Sequence, residues 1–545
     1  MKRILFLLVA ISLCIYCVAQ PRFSKFYNYS ISVPPSTDIY NAVIIDSSYF
    51  LANGITNSDS LSSYNSYLAA IDYAGKTLWH KNLFFPGHYN AVSGNHSMIK
   101  WDDNTILMTG YELDTAIHDT AAIFQPYLYF FTNNGDSIRF HKYVDSFRIR
   151  YFNALTRTSD GCIIAAGIGY SKSMQFVPAN GSSSPAHYAP DSASFYFVKF
   201  DSLGTIIWEK QLFTVPNIYL FTTFATQVLA TDDGGAVLSG FAINRPGVLG
   251  TSHIFLRIDS AGNTVWQKNY RKKNYPETSI NSFDDICKAA GGGYYFLAEI
   301  ATLDAGPAGP GNSLLYYGKI NDLGDTIWTK QFADTGDVAL DGYKYTQAMA
   351  IRQRSNGDLL LTGNVYYNSY EHPLLVIADS NGKVKSYREY ITVDNPDITQ
   401  ALNTICETPQ KNIILAGIAA YYDTLPGVWD TAAGYGWVIQ ADSFGCLTGG
   451  CQSADIRWAA NDVEQLHVNS ANVQLYPNPG NEQLHIIVTR NIEQVNIADM
   501  SGRIIWQGNI NHTADVNTST FAPGLYIVSC YGKSGGLLVR KWSKE

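Results

Sequence analysis

The chain has 545 residues, 46% of them hydrophobic and only 15% charged, with 37 Tyr and a formal net charge of -8. That length excludes one small core, and the aromatic-rich, charge-poor composition suits strands rather than helices. No basic block is present to neutralise a run of phosphates, which excludes a nucleic-acid partner.

The first twenty residues, MKRILFLLVAISLCIYCVAQ, place Lys2 and Arg3 before an apolar run that ends in the small residue Ala19. This is the three-part pattern of a secretory signal over residues 1–19. The apolar run is shorter than the roughly 20 residues a spanning helix needs. Neither Cys14 nor Cys17 follows the small residue that a lipoprotein signal requires.

Residues 21–451 are repetitive. FVKFDSLGTIIWEKQLF from Phe197 recurs as AAIDYAGKTLWHKNLF, FLRIDSAGNTVWQKNY and YGKINDLGDTIWTKQF. Aligned on the turn glycine, the copies fall at Gly75, Gly135, Gly204, Gly262, Gly324, Gly382 and Gly445, close to one every sixty residues. Three positions earlier stand Asp72, Thr132, Asp201, Asp259, Asn321, Asp379 and Asp442. Asp or Asn there can bond the backbone of a tight turn, and Gly accepts the positive φ that closes it. A second hairpin precedes each copy, as in TQVLATDDGGAVLSGFA. Each unit therefore holds four strands, A to D, with tight turns from A to B and from C to D. The B strands are apolar or small on both faces, as strands covered on both sides are. The D strands alternate after Trp79, Trp208, Trp266 or Trp328, as outer strands do.

Seven such units predict an all-β fold: a seven-bladed β-propeller of four-stranded blades, followed by a small C-terminal antiparallel β-sandwich. A solenoid would leave its terminal edges uncapped. The seventh unit, VIQADSFGCLTGGC, lacks a D strand, and FSKFYNYS from Phe23 resembles WEKQLF displaced to the N-terminus. Residues 22–29 are therefore expected to pair beside Trp437–Ala441 and close the ring. A lone Asp at each turn supplies too few oxygens for Ca²⁺. Cys446 and Cys451, in CLTGGC, are the disulfide candidate, since a Gly-Gly turn lets their sulfurs meet.

Residues 452–472 read as a polar linker, and 473–545 as a separate domain of short strands. Its landmarks are Leu475, Tyr476, Pro477, Asn478 and Pro479, then Asp499 and Gly502, then Pro523, Gly524, Leu525 and Tyr526, before a basic tail at Arg540, Lys541 and Lys544. On these residues the domain resembles the type A C-terminal sorting domain of the type IX secretion system. The resemblance implies export through the periplasm, recognition by the type IX secretion machinery, and delivery as a secreted or outer-membrane surface protein. It also implies attachment to outer-membrane glycolipid after processing.

Nucleophile elbows, zinc-ligand helices, phosphate loops and Cys-His pairs are absent from the sequence, so no catalytic, cofactor or metal residue is assigned. His88, His96 and His118 fall in connecting segments and read as solvated. The longer B-to-C and D-to-A connections share one face and carry the variation. Tyr188, Tyr367, Tyr370 and Trp429 on that face are candidate ligand contacts, because aromatics beside amides and hydroxyls suit a sugar or a peptide. The expectation is a propeller that binds a glycan or protein ligand without catalysis. The alternative is an extracellular carbohydrate-active enzyme, a lyase or glycosidase, working on the loop face.

Overall fold

The computed structural model describes residues 22–30, 36–57, 64–83, 88–92, 94, 96–114, 123–144, 150–170, 174–177, 187–190, 193–212, 222–243, 251–270, 285–302, 312–332, 345–367, 370–391, 398–422, 432–447, 457–459, 473–488, 492–499, 503–510, 513–532 and 537–544. These divide into two compact units, 1–463 and 464–545. The predicted signal peptide and Cys451 lie outside the described residues. Cys446 is buried, while Cys162, Cys287, Cys406 and Cys530 are free thiols.

Seven antiparallel sheets follow one another along the first unit. The first pairs Thr37–Ile44, Tyr49–Asn57, Tyr64–Asp72 and Thr77–Leu83 in chain order. The second is Met98–Lys100, Thr105–Asp114, Ile123–Thr132 and Ser137–Lys142, with His88–Ala91 alongside. The third is Arg150–Arg157, Ile163–Tyr170, Ala193–Phe200 and Ile206–Leu212. The fourth is Thr222–Ala230, Ala236–Ile243, Thr251–Ile258 and Thr264–Tyr270. The fifth is Asp285–Lys288, Tyr294–Thr302, Asn312–Ile320 and Thr326–Gln331. The sixth is Tyr345–Gln353, Leu359–Tyr367, Tyr370–Ala378 and Val384–Ile391. Arg457–Ala459, within the stretch read as linker, runs parallel beside Glu389–Ile391.

The seventh sheet joins the two ends of the unit. Ile398–Glu407, Ile413–Tyr422 and Ala432–Ala441 receive Phe23–Tyr27 as their outer strand, with Phe23 opposite Gln440 and Tyr27 opposite Gly436. The first strand of each sheet touches the first strand of the next, and that of the seventh returns to Thr37–Ile44. The sheets thus form a closed seven-bladed propeller with its A strands around the axis. Middle strands are dry: every residue of Ile163–Gly169 is buried, whereas Ile206–Leu212 keeps exposed positions. Burial on both faces explains why the B strands lack a period of two.

The repeated turn works as predicted and also does something local reading cannot reveal. Asp72 Oδ1 accepts from the N–H of Ala74 (2.9 Å) and of Lys76 (2.8 Å), and Asp201, Asp259, Asn321, Asp379 and Asp442 repeat this. All seven glycines have φ between 76° and 90°. Each glycine is also the seat for the preceding blade. A Cβ on Gly262 would meet the Trp208 ring at 3.0 Å, and one on Gly135 would meet Trp79 at 2.6 Å. Trp208 Nε1 then donates to Ser260 O, and Trp266 Nε1 to Asp322 O, both at 3.0 Å. Lys81, Lys210 and Lys268 reach Asp136, Asn263 and Asp325 of the following turn. Tyr143, Tyr317 and Tyr390 donate to the carbonyls of Gly204, Gly382 and Gly445.

The N-terminal strand obeys the same rule. Phe23 and Lys25 cover Gly75, Lys25 Nζ donates to Ala74 O at 3.2 Å, and Tyr27 donates to Gly75 O at 2.8 Å. It therefore completes blade seven and clasps blade one together. Phe23, Tyr27 and Tyr29 share a buried cluster with Phe50, Tyr67, Ile414 and Val438.

In the second unit, Val473–Tyr476, Gln483–Val488 and Thr513–Asn517 form a three-stranded sheet. A four-stranded sheet has the order Ile504–Asn509, Ile492–Asp499, Gly524–Gly532, Leu537–Lys544. Leu484, Ile486 and Val516 from one sheet meet Val495, Ile497, Val528 and Trp542 from the other in a single core, which makes the unit a small sandwich.

Removing residues 22–29 deletes four buried aromatic side chains, each contributing about 1.5–3 kcal/mol, and bares the edge of Ala432–Ala441. The shortened protein is expected to melt at lower temperature and to associate. An unchanged melting curve and a monomeric elution profile would count against the closure described.

Candidate functional site

The A strands ring the axis, so side chains from distant blades can meet only there. His96, Asp285 and Arg352, from blades two, five and six, do so. His96 Nε2 lies 2.9 Å from Asp285 Oδ1 and 2.8 Å from Arg352 Nη2. Asp285 Oδ2 accepts from Arg352 Nη1 at 2.5 Å and from the Ile351 N–H at 2.9 Å. Asp285 has no exposed surface. Burial alone would raise its pKa, but the Arg352 charge and His96 outweigh this and hold it below the ordinary carboxylate value. Burial, then Arg352, lowers His96, against the opposing pull of Asp285. Near neutral pH the cluster thus holds one carboxylate, one guanidinium and a neutral imidazole. Both carboxylate oxygens are occupied, so the group is a staple across the axis.

His96 is therefore not the solvated loop residue expected. Its main chain bridges Ala154 and accepts from the Leu155 N–H at 3.1 Å, which draws it into the wall of the channel. Cys287 and Cys406 lie near Arg352, and burial pushes each thiol up to about 12, which makes them poor nucleophiles.

A second feature lies toward the opposite end of the channel. Asp38 precedes the end of Thr37–Ile44 by six residues, about 20 Å of strand, so it sits where the D-to-A connections arrive. Arg352, by contrast, is one residue from the end of its strand. Asn403 Nδ2 of blade seven donates to Asp38 Oδ1 at 3.0 Å and to Ile39 O at 2.8 Å. Desolvation raises the Asp38 carboxyl to about 7, against hydrogen bonds from Tyr40, Asn403 and the Ile39 backbone. Among the described residues no group of three His, Cys, Asp or Glu side chains could hold a metal ion.

None of Asp38, Asp285 and Arg352 was singled out from the sequence. Asp38 and Arg352 are single charged residues in their strands and Asp285 shares a four-residue strand with Lys288, all without motif spacing. The usable signal was a charge at an innermost-strand position. Of the predicted loop-face aromatics, Tyr188 lies on the strand His187–Pro190, Tyr367 ends Leu359–Tyr367 and Tyr370 opens Tyr370–Ala378. Tyr367 and Tyr370 are paired across that hairpin. Trp429 lies outside the described residues.

In the C-terminal unit the Tyr-Pro-Asn-Pro stretch grips the last strand. Trp542 is fully buried and its Nε1 donates to Pro477 O at 2.8 Å. Asn478 Nδ2 donates to Lys541 O and its Oδ1 accepts from the Ser543 N–H, both at 3.0 Å. The Gly480 N–H donates to Ser543 O at 2.9 Å, and Lys544 Nζ to Asn481 O at 2.5 Å. Asp499 accepts from the Arg503 N–H at 3.2 Å, repeating the propeller turn. Gly524 takes a φ of 152°, Leu525 is exposed, and Tyr526 is buried with its hydroxyl on Ala522 O. Both X-Pro bonds of the stretch are cis. Pro523 is exposed. Gly502 lies outside the described residues.

Residues 474–544 match the family model described as secretion system C-terminal sorting domain. The protein is accordingly secreted and addressed to the cell surface or outer membrane through the type IX machinery. No curated protein matches the chain. Solved structures similar to it include the polysaccharide lyase Uly1, at 12% identity and TM-score 0.41 over 78% of this chain and 98% of that one. The GH93 α-L-arabinofuranosidase of Fusarium graminearum with arabinobiose is 10% identical, with TM-score 0.38 over 63% and 91% of the two chains. The Penicillium chrysogenum α-L-arabinanase is 10% identical, with TM-score 0.38 over 77% and 98%.

Asp38 supplies a pH signature. Its folded pKa lies above the unfolded value, so the folded state holds the proton more tightly and the protein loses stability as pH rises from about 4 through about 7. Asp38→Asn is expected to remove that part of the decline. Melting curves from pH 4 to 8 that fall in parallel for both proteins would contradict the assignment.

Proposed function

On the premise that residues 474–544 are a secretion system sorting domain, we propose that the chain is a surface-displayed binding protein whose propeller presents its loop face to an extracellular glycan or protein ligand. The observation that carries the reading is the full burial of Asp285, whose carboxylate is in contact only with His96, Arg352 and Ile351 among the described residues. A general base must come within hydrogen-bond reach of a substrate proton, and this carboxylate has no exposed surface and ties blades together instead. Tyr188, Tyr367, Tyr370 and Trp429 are the proposed ligand contacts. After export, Cys446 and Cys451 are proposed to form a disulfide, read by non-reducing peptide mapping, and the mature chain to be attached to outer-membrane glycolipid.

Glycan and peptide arrays probed with the secreted protein are expected to give saturable binding and no product. Tyr367→Ala or Tyr370→Ala is expected to weaken that binding about tenfold, or ~1.4 kcal/mol. Loss of binding in neither variant would move the ligand off this face.

The enzyme reading draws on Asp38 alone, because a carboxyl that keeps its proton near neutral pH is what a general acid requires. A glycosidase needs a second carboxylate at a set distance, and none is described beside Asp38. Product release that disappears in Asp38→Asn would favour it.

Export is proposed to depend on the grip around the last strand. Trp542→Ala should cost the sorting domain about 3–5 kcal/mol and strand the chain in the periplasm with its propeller folded. Normal surface delivery of this variant in fractionated cells would refute the dependence.

A further inference from the structure

One blade junction breaks the repeat's own rule. Four residues after the turn glycine, the outer strand carries Trp79, Trp208, Trp266 and Trp328 in blades one, three, four and five, and Arg139 in blade two. Arg139 fills the place with its side chain and donates to Leu203 O at 2.9 Å. In blade six the equivalent position, four after Gly382, is Ser386, and two residues later Arg388 stands where blades one, three, four and five have Lys and blade two has His141. A hydroxymethyl group cannot fill the volume of an indole. A cleft of about 870 Å³ opens there between blades six and seven, on the face of the tight turns. Ser386 and Arg388 line it together with Arg354, Lys385, Lys411 and the exposed ring of Phe444.

The charges of the cleft are unequally matched. Four cations face two carboxylates, Asp358 and Glu407. Lys385 pairs with Asp358 at 2.5 Å. Arg354 is held at all three nitrogens, by Glu407 Oε1 (2.9 Å), Ser443 O (2.7 Å) and Lys411 O (3.0 Å), and forms the floor. Lys411 Nζ donates to Ser355 Oγ at 2.8 Å and lies 3.9 Å from Glu407. Arg388 has no ion pair among the described residues; the Asp442 carboxylate acts on it from nearby but is itself paired with Arg22 at 3.1 Å. Arg388 is 3% exposed, its Nη1 donates to Tyr387 O at 2.6 Å, and its buried Nε has no hydrogen-bond partner among the described residues. A buried guanidinium with an unused donor, in a cleft of positive sign, calls for an anion.

We infer that this cleft binds the carboxylate of an acidic sugar, a uronate, with Arg388 as the anion-binding group. The planar guanidinium fork matches a carboxylate. Ser355, Asn356, Ser386 and Ser443 offer hydroxyls and an amide to sugar hydroxyls, and Phe444 offers a flat apolar face at the rim. The volume fits a ligand of a few rings rather than a bare ion. The inference is independent of the loop-face reading, since the cleft opens on the opposite face of the ring.

Titration calorimetry with trigalacturonate, its methyl ester and inorganic sulfate tests it on the full secreted protein. Trigalacturonate is expected to bind, and the uncharged ester to bind at least tenfold more weakly. Arg388→Gln should lose at least tenfold in affinity. Ser386→Trp restores the residue used at four other junctions, so it should fill the cleft and abolish binding while keeping or raising the melting temperature. Tyr367→Ala, on the other face, should leave this affinity unchanged. Absence of trigalacturonate binding, full affinity in Ser386→Trp, or sulfate binding as tightly as trigalacturonate would each overturn the proposal.

Discussion

The contact on which the propeller depends is the one between a turn glycine and the aromatic or cationic side chain that the preceding blade lays over it. Positive φ and absence of a Cβ are separate requirements, and here one residue meets both. The turn needs the first to reverse the chain, and the neighbouring blade needs the second to approach. Because a Cβ on Gly262 would stand 3.0 Å from Trp208, folding within a blade and docking between blades are linked at a single atom position. The carbonyl of that residue then accepts a tyrosine hydroxyl at several junctions, so its polar backbone is satisfied as the ring assembles.

Closure follows from the same contact. A ring of seven like units has seven junctions, and the last must join residues more than 400 apart in the sequence. Phe23–Tyr27 solves this by carrying the outer-strand chemistry of an ordinary blade at the wrong end of the chain, so its pairing with Ala432–Ala441 also delivers Phe23, Lys25 and Tyr27 to Gly75. The axial cluster acts along a different direction. It ties blades two, five and six through buried charges whose desolvation is offset only because each finds an opposite charge and several hydrogen bonds.

The C-terminal sandwich uses the turn grammar of the propeller in a different setting. Asp499 and Arg503 repeat the local bond, yet Trp506 packs within its own small core instead of covering a neighbouring blade. The tail, which read as a short basic extension, is a full strand held by Trp542, Asn478 and Gly480.

What the sequence determined by itself was everything that recurs. The seven turn glycines, their Asp or Asn partners, the two-sided apolar B strands and the displaced outer strand at Phe23 are local patterns, and local sterics make them legible. Repetition then implied the propeller, and the ordered landmarks after Leu475 implied the sorting domain. What only the tertiary structure decided was what happens once per chain. His96, Asp285 and Arg352 are separated by 189 and 67 residues and meet because ring closure folds their strands around one axis. Asp38 owes its raised pKa to burial in the closed ring, where Asn403 reaches it from 365 residues away, and the Ser386 cleft exists only relative to the indole that other junctions carry. Periodicity reports the forces that each unit satisfies within itself and with the next. Contacts across the ring have no period, and only the folded coordinates bring them together.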